Sequence, residues 1–151
     1  MTEHIDQTPA LGLWNYAWEY AEAARQVAGE PELRNVAYFL ICHSIELALK
    51  AFLRTKGWEA RQLKTLGHNL EAALKEAERV GLKEVCPFEW NFECCLRLLN
   101  VQYEAKDFEY IRVAPTLHSF TFQQVMNLVL VGTEDLLSNI HPLILDEEAS
   151  K

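Results

Sequence analysis

The sequence predicts an all-α fold, an up-and-down antiparallel helical bundle of four long helices plus a shorter one. Three observations carry that expectation. Apolar residues recur at helical spacing in five separate segments. Glycine and proline are sparse, at six and five of 151 residues, and most fall between those segments. Half of the chain is hydrophobic (50%), which suffices for one buried core in a domain of this length. Residues 1–10 are expected to form a flexible N-terminal tail, 11–145 a single bundle domain and 146–151 an acidic C-terminal tail.

The first predicted helix runs from about Leu11 to Ala28. Trp14, Ala17, Trp18, Ala21 and Ala24 make its apolar stripe, and Glu19, Glu22, Arg25 and Gln26 take the other side. Gly29 ends it, and Pro31 suits the first turn of the next. The second runs from about Glu32 to Thr55 and stops before Gly57. Its middle is apolar almost all round, which predicts contact with several neighbours. Residues 57 to 67 connect, with a short helical turn near Glu59–Leu63.

The third predicted helix runs from about His68 to Val80 on Leu70, Leu74, Ala77 and Val80, and Gly81 terminates it. The fourth lies near Phe88 to Tyr103, with a stripe of Phe88, Phe92, Cys95, Leu96 and Leu99 and with Pro87 where a first turn accepts it. Residues 104 to 120 are the least regular. They still carry Phe108, Tyr110, Ile111, Val113 and Leu117, so they are expected to pack down on the bundle. The fifth helix begins just after Thr121, whose spacing to Gln124 is that of a capping box, and Pro142 closes it. The expected core includes Trp18, Ala21, Leu40, Leu47, Ala51, Leu74, Phe92, Leu99, Val125, Val129 and Leu136.

A net charge of -8 repels phosphate backbones at long range, which disfavours broad nucleic-acid binding. The most apolar runs, Val36–Leu53 and Phe122–Ile140, carry ionisable and amide side chains, so they are read as buried helices and no membrane span is expected. The acidic, polar start from Met1 to Pro9 is unlike a signal peptide. Cys42, Cys86, Cys94 and Cys95 match no zinc spacing and are expected to be free thiols in a reducing, cytoplasmic setting. No metal or cofactor pattern is present: there is no glycine-rich phosphate loop, no HExxH and no GxSxG.

Four groupings remain as candidates for chemistry. His43, Glu46 and Lys50 share one stripe of the second helix. They fit either a polar ligand pocket or a structural ion pair with a hydrogen-bonded histidine. His68 and Asn69 open the third helix, where a histidine could serve as general acid or base or simply start the helix. Arg61 and His68, with six residues between them, could steady a phosphate and move a proton. Tyr103, Asp107, Phe108, Tyr110 and Arg112 could stack bases, anchor the late loop or line a dimer interface.

The run His43-Ser44-Ile45-Glu46-Leu47-Ala48-Leu49-Lys50-Ala51-Phe52-Leu53, followed by Gly67-His68-Asn69-Leu70, resembles the HEPN superfamily of small helical domains. Its members show a segment of the type H-x-x-E-L-x-L-K-A and then an H-[DN]-L opening the next helix. The resemblance covers roughly Val36 to Leu74. It implies a helical bundle, often a homodimer, with some members paired with a minimal nucleotidyltransferase. Some members are metal-independent ribonucleases of toxin–antitoxin or antiviral systems. Those carry an arginine, a polar residue and, after a short interval, a histidine. Here Arg34-Asn35 is followed by His43 only after eight residues, Arg97 has no histidine near it, and Arg61 is followed by Gln62. The expectation is therefore a non-catalytic domain that binds a protein partner or a small, nucleotide-like ligand. His43, Glu46, Lys50, His68, Asn69, Tyr110 and Arg112 are its candidate ligand-binding residues, and ribonuclease action through Arg61 and His68 is the alternative.

Overall fold

The computed structural model describes residues 8–88, 90–105 and 122–151. Of these, 84% are helical and none lies in a strand, so the fold is all-α. Helix α1 spans Ala10–Val27. A 3-10 turn, Pro31–Leu33, leads into α2, Arg34–Thr55. Then follow α3 (Ala60–Leu66), α4 (Leu70–Arg79), α5 (Leu82–Val85), α6 (Trp90–Glu104) and α7 (Phe122–Ala149). The expected loop residues Asp107, Phe108, Tyr110 and Arg112, the Thr121 cap and most of the expected N-terminal tail lie outside the described residues.

Helix α2 is the centre of the molecule. It packs against α1, α4, α6 and α7. Its buried residues include Ile41, Cys42, Ile45, Leu49, Phe52 and Leu53 on one broad face, and Leu40, His43, Leu47 and Lys50 on the other side are half-buried. That is why the segment reads as apolar almost all round: four helices cover most of its circumference.

Helix α1 packs on α2, and its buried stripe is Ala10, Leu13, Ala17, Ala21 and Ala24, four of the five being alanine. Small side chains let the two backbones approach, and the buried Ser44 hydroxyl of α2 donates to the Ala17 carbonyl at 2.6 Å. This corrects the expected stripe. Trp18 sits one position beside Ala17, about 100° round the helix, and is 48% exposed. Trp14 is half-buried, stacked on His141 with its indole N–H donating to the Leu137 carbonyl at 2.9 Å. Leu40 and Leu47, also expected in the core, are half-buried and pack against it, whereas the expected core residues other than these two and Trp18 are buried.

The connection after α2 is more helical than its sequence suggests. Glu59 and Gln62 form a capping box that starts α3. Helix α4 begins two residues later than expected, because Asn69 acts as its N-cap, accepting from the Ala72 N–H at 3.0 Å. His68 is thereby left in the turn before the helix.

Helices α6 and α7 meet at Gly132, where a Cβ would stand 2.1 Å from the Phe92 ring. Only glycine fits there. Pro142 does not close α7 as expected: the helix runs on to Ala149, through most of the expected acidic tail. Proline removes the bond to the Ser138 carbonyl, but Ile140 before it and Ile144 after it are both fully buried, and that packing holds the helix together. Two helical stretches, Pro31–Thr55 and Phe122–Ala149, are long and apolar enough to cross a membrane by length and composition alone. In the first, 67% of the apolar window is buried against the rest of the chain.

Candidate functional site: a buried carboxylate beneath a basic cavity

Helix α2 carries His43, Glu46 and Lys50 on one stripe, and the stripe faces two other elements. One is the turn between α3 and α4, where Gly67 takes φ 53 and lets the chain reverse so that His68 returns over α2. The other is the end of α6, which supplies Tyr103 on the buried row Phe92, Leu96, Leu99 and Tyr103. Glu46, 3% exposed, lies where these elements meet.

The Glu46 carboxylate is saturated with donors. Its Oε1 accepts from the Tyr103 hydroxyl at 2.8 Å and from His68 Nδ1 at 2.7 Å. Its Oε2 accepts from Lys50 Nζ at 3.2 Å, and the same ammonium donates to the Gly67 carbonyl at 2.9 Å. His43 Nδ1 lies 2.8 Å from the Tyr103 oxygen. Because that hydroxyl gives its proton to Glu46, His43 must donate to it. Both histidines therefore hold a proton on Nδ1, and both are linked to a single carboxylate.

The electrostatics agree with this pattern. Burial pushes the Glu46 pKa up, but the Lys50 ammonium and the hydrogen bonds from His68 and Tyr103 outweigh it and hold the carboxyl below its ordinary 4.5. Burial lowers the His43 pKa from its ordinary 6.5; the Glu46 charge opposes this, while His68 and Lys50 add to it. Burial, with the Glu46 charge, raises the Tyr103 phenol far above its ordinary range, so its proton stays in place.

The network forms one wall of a cavity of about 540 Å³ between α1, α2 and α3. His43, Lys50, Arg54, Lys64 and His68 line it, and among the described residues Glu46 is the one acidic group on its wall. Tyr16 and Tyr20 of α1 contribute aromatic surface. In a chain of net charge -8 this is a local concentration of basic groups around an apolar pocket.

Four of the candidate residues, His43, Glu46, Lys50 and His68, are brought together. Asn69 serves the site indirectly: its Oδ1 caps α4 and also accepts from Asn100 Nδ2 of α6 at 3.1 Å, pinning the turn that carries His68. Arg61 is exposed and does not line the cavity that His68 lines, so the Arg61–His68 pairing is not assembled there. Tyr110 and Arg112 lie outside the described residues.

Tyr103 was expected among loop-anchoring aromatics. Its place four residues after Leu99 extends the apolar stripe, and a buried tyrosine needs a partner for its hydroxyl. Arg54 continues the stripe one turn beyond Lys50. Tyr16, Tyr20 and Lys64 leave no such signal.

His43, Glu46 and His68 also form a set of potential metal donors. Each offers one ligand atom, and the three atoms lie within 4.8 Å of one another. The expectation of no metal pattern rested on spacing along the chain, whereas this set is drawn from two separate elements. No family model, curated protein or solved structure matches this chain.

Proposed function

We propose that this chain is a non-catalytic, HEPN-like helical domain that binds a small, anionic, nucleotide-like ligand in the cavity between α1, α2 and α3. One observation carries the reading: Lys50, Arg54, Lys64 and two histidines line a single pocket with two tyrosines, in a protein that is otherwise strongly acidic. Cationic groups around an apolar, aromatic-walled cavity of this size suit a ligand with a planar ring and an anionic end. The buried network beneath the pocket is fully hydrogen-bonded within the protein, which supports a binding platform.

The test is calorimetric titration of the full chain with adenosine and guanosine monophosphates and with inorganic phosphate. A mononucleotide should bind more tightly than phosphate, and Arg54→Ala should weaken it by about 10–100-fold, the loss of one charge-assisted contact. Absence of binding at millimolar ligand would overturn the reading. So would RNA cleavage without metal that is lost in His68→Ala, since it would establish the ribonuclease alternative.

The same reading includes a homodimer and a minimal nucleotidyltransferase as partner, in a cytoplasmic setting. Trp90, 74% exposed, and Val101 share one face of α6, which supports pairing through an outer helix. The free state of all four cysteines supports a reducing compartment.

A further inference from the structure

We infer that His43, Glu46 and His68 form a binding site for a divalent transition-metal ion, of the zinc or cobalt class, that opens into the cavity between α1, α2 and α3. The set is two imidazoles and one carboxylate, a combination suited to borderline metal ions that keep positions for exogenous ligands. Three observations join in it.

The first is proximity. The three donor atoms lie within 4.8 Å of one another. Bonds of about 2.0–2.1 Å in tetrahedral geometry need donors roughly 3.4 Å apart, so the widest separation must shrink by about 1.4 Å. His68 can supply that movement, because its side chain is 45% exposed and it sits in the turn after Gly67.

The second is preorganisation. Without metal, protons span the same links: His68 Nδ1–H to Glu46 directly, and His43 Nδ1–H to Glu46 through the Tyr103 hydroxyl. The rings are already held around one carboxylate, so little side-chain freedom is lost on binding. The third is access. All three residues line the same cavity, so the remaining coordination positions face a space of about 540 Å³.

Two groups oppose the ion. The Tyr103 hydroxyl, 2.8 Å from both His43 Nδ1 and Glu46 Oε1, stands between those donors and must give way. The Lys50 ammonium, 3.2 Å from Glu46 Oε2, repels a cation at the carboxylate. In the metal-bound state it keeps its 2.9 Å bond to the Gly67 carbonyl. This opposition separates a metal site from a purely structural cluster. If a metal binds here, Lys50→Met tightens it.

The probe is the metal alone, so the inference stands or falls independently of the nucleotide reading. Titration of the full chain with Zn²⁺ by calorimetry, and with Co²⁺ by visible absorption, should show one ion per chain. His43→Ala and His68→Ala should each abolish it. Glu46→Gln, which keeps the size of the side chain, should weaken it with the far-ultraviolet spectrum intact. Cys94→Ser should leave it unchanged, because Cys94 is the most exposed thiol and stands apart from the site. Binding that survives both histidine variants, binding lost in Cys94→Ser, or no binding at all would each overturn the inference. Weaker binding in Lys50→Met would overturn it as well.

Discussion

His68 and Glu46 are joined by a 2.7 Å hydrogen bond across 22 residues of chain, one on an exposed turn and the other buried in the central helix. The bond ties the α3–α4 turn to the core, and through Tyr103 it also ties in α6. Glu46 thus closes three separate elements around a single charge.

The first prediction concerns proton placement. Because Tyr103 donates to Glu46, His43 holds a proton on Nδ1, and the direct bond to the carboxylate places one on His68 Nδ1 as well. Nitrogen chemical shifts from two-dimensional spectra of metal-free protein should show a protonated Nδ1 at both positions, and Tyr103→Phe should release His43 from that constraint. An unprotonated Nδ1 at His68 would contradict the network.

The second concerns the cost of breaking the hub. Glu46→Ala leaves a half-buried ammonium without its counter-charge, and an imidazole N–H and a buried phenol O–H without their acceptor, and should destabilise by about 3–5 kcal/mol in denaturant unfolding. Lys50→Ala should cost less. That side chain is 13% exposed, and Glu46 keeps two other donors when it is gone. Equal costs for the two, each near the roughly 0.3–0.5 kcal/mol of an exposed helical pair, would show that the carboxylate is solvated.

The third concerns pH. The fold favours ionised Glu46, whose pKa lies below 4.5, so its contribution is complete above that value and is lost as pH falls through the folded pKa. The fold also favours neutral His43, whose pKa lies below 6.5, so its contribution is complete above 6.5 and is likewise lost as pH falls. Stability should therefore begin to drop just below pH 6.5 and drop further below 4.5. His43→Gln should remove the first step from a series of urea midpoints. A midpoint that is flat or rises on acidification would refute the assignment.

The fourth concerns packing. Gly132→Ala puts a methyl group 2.1 Å from the Phe92 ring and should cost about 1–3 kcal/mol through forced displacement. Phe92→Leu leaves room for that methyl group, so the double variant should be less destabilised than the sum of the singles. Strict additivity would show that the two residues do not meet.

Much of the architecture was legible in the sequence. The all-round apolar character of Val36–Leu53 marks a helix with several neighbours, and α2 has four. The stripe of His43, Glu46 and Lys50 follows from helical spacing, and the Glu46–Lys50 pair is present at the expected offset. The Trp18 error has a definite cause. Trp18 and Ala17 both fit a broad apolar stripe, and periodicity does not say which side a neighbouring helix takes. The alanines won because α1 and α2 pack closely, and small side chains permit that approach.

Local pattern also misjudged α7. Proline ends a helix when nothing else holds it, but Ile144 beyond Pro142 is fully buried, and tertiary burial outweighed the lost backbone bond.

The helical class, the central place of the second long helix and the residues of its polar stripe depend on periodicity along one segment, so they are readable without the fold. Only the tertiary structure decided what the stripe does. Tyr103 and His68 reach Glu46 from 57 and 22 residues away, so no local spacing encodes their convergence. The physical reason is the carboxylate itself. Once buried it must collect donors, and the donors within reach are set by which helices pack against α2 and where the turn after Gly67 leaves the chain.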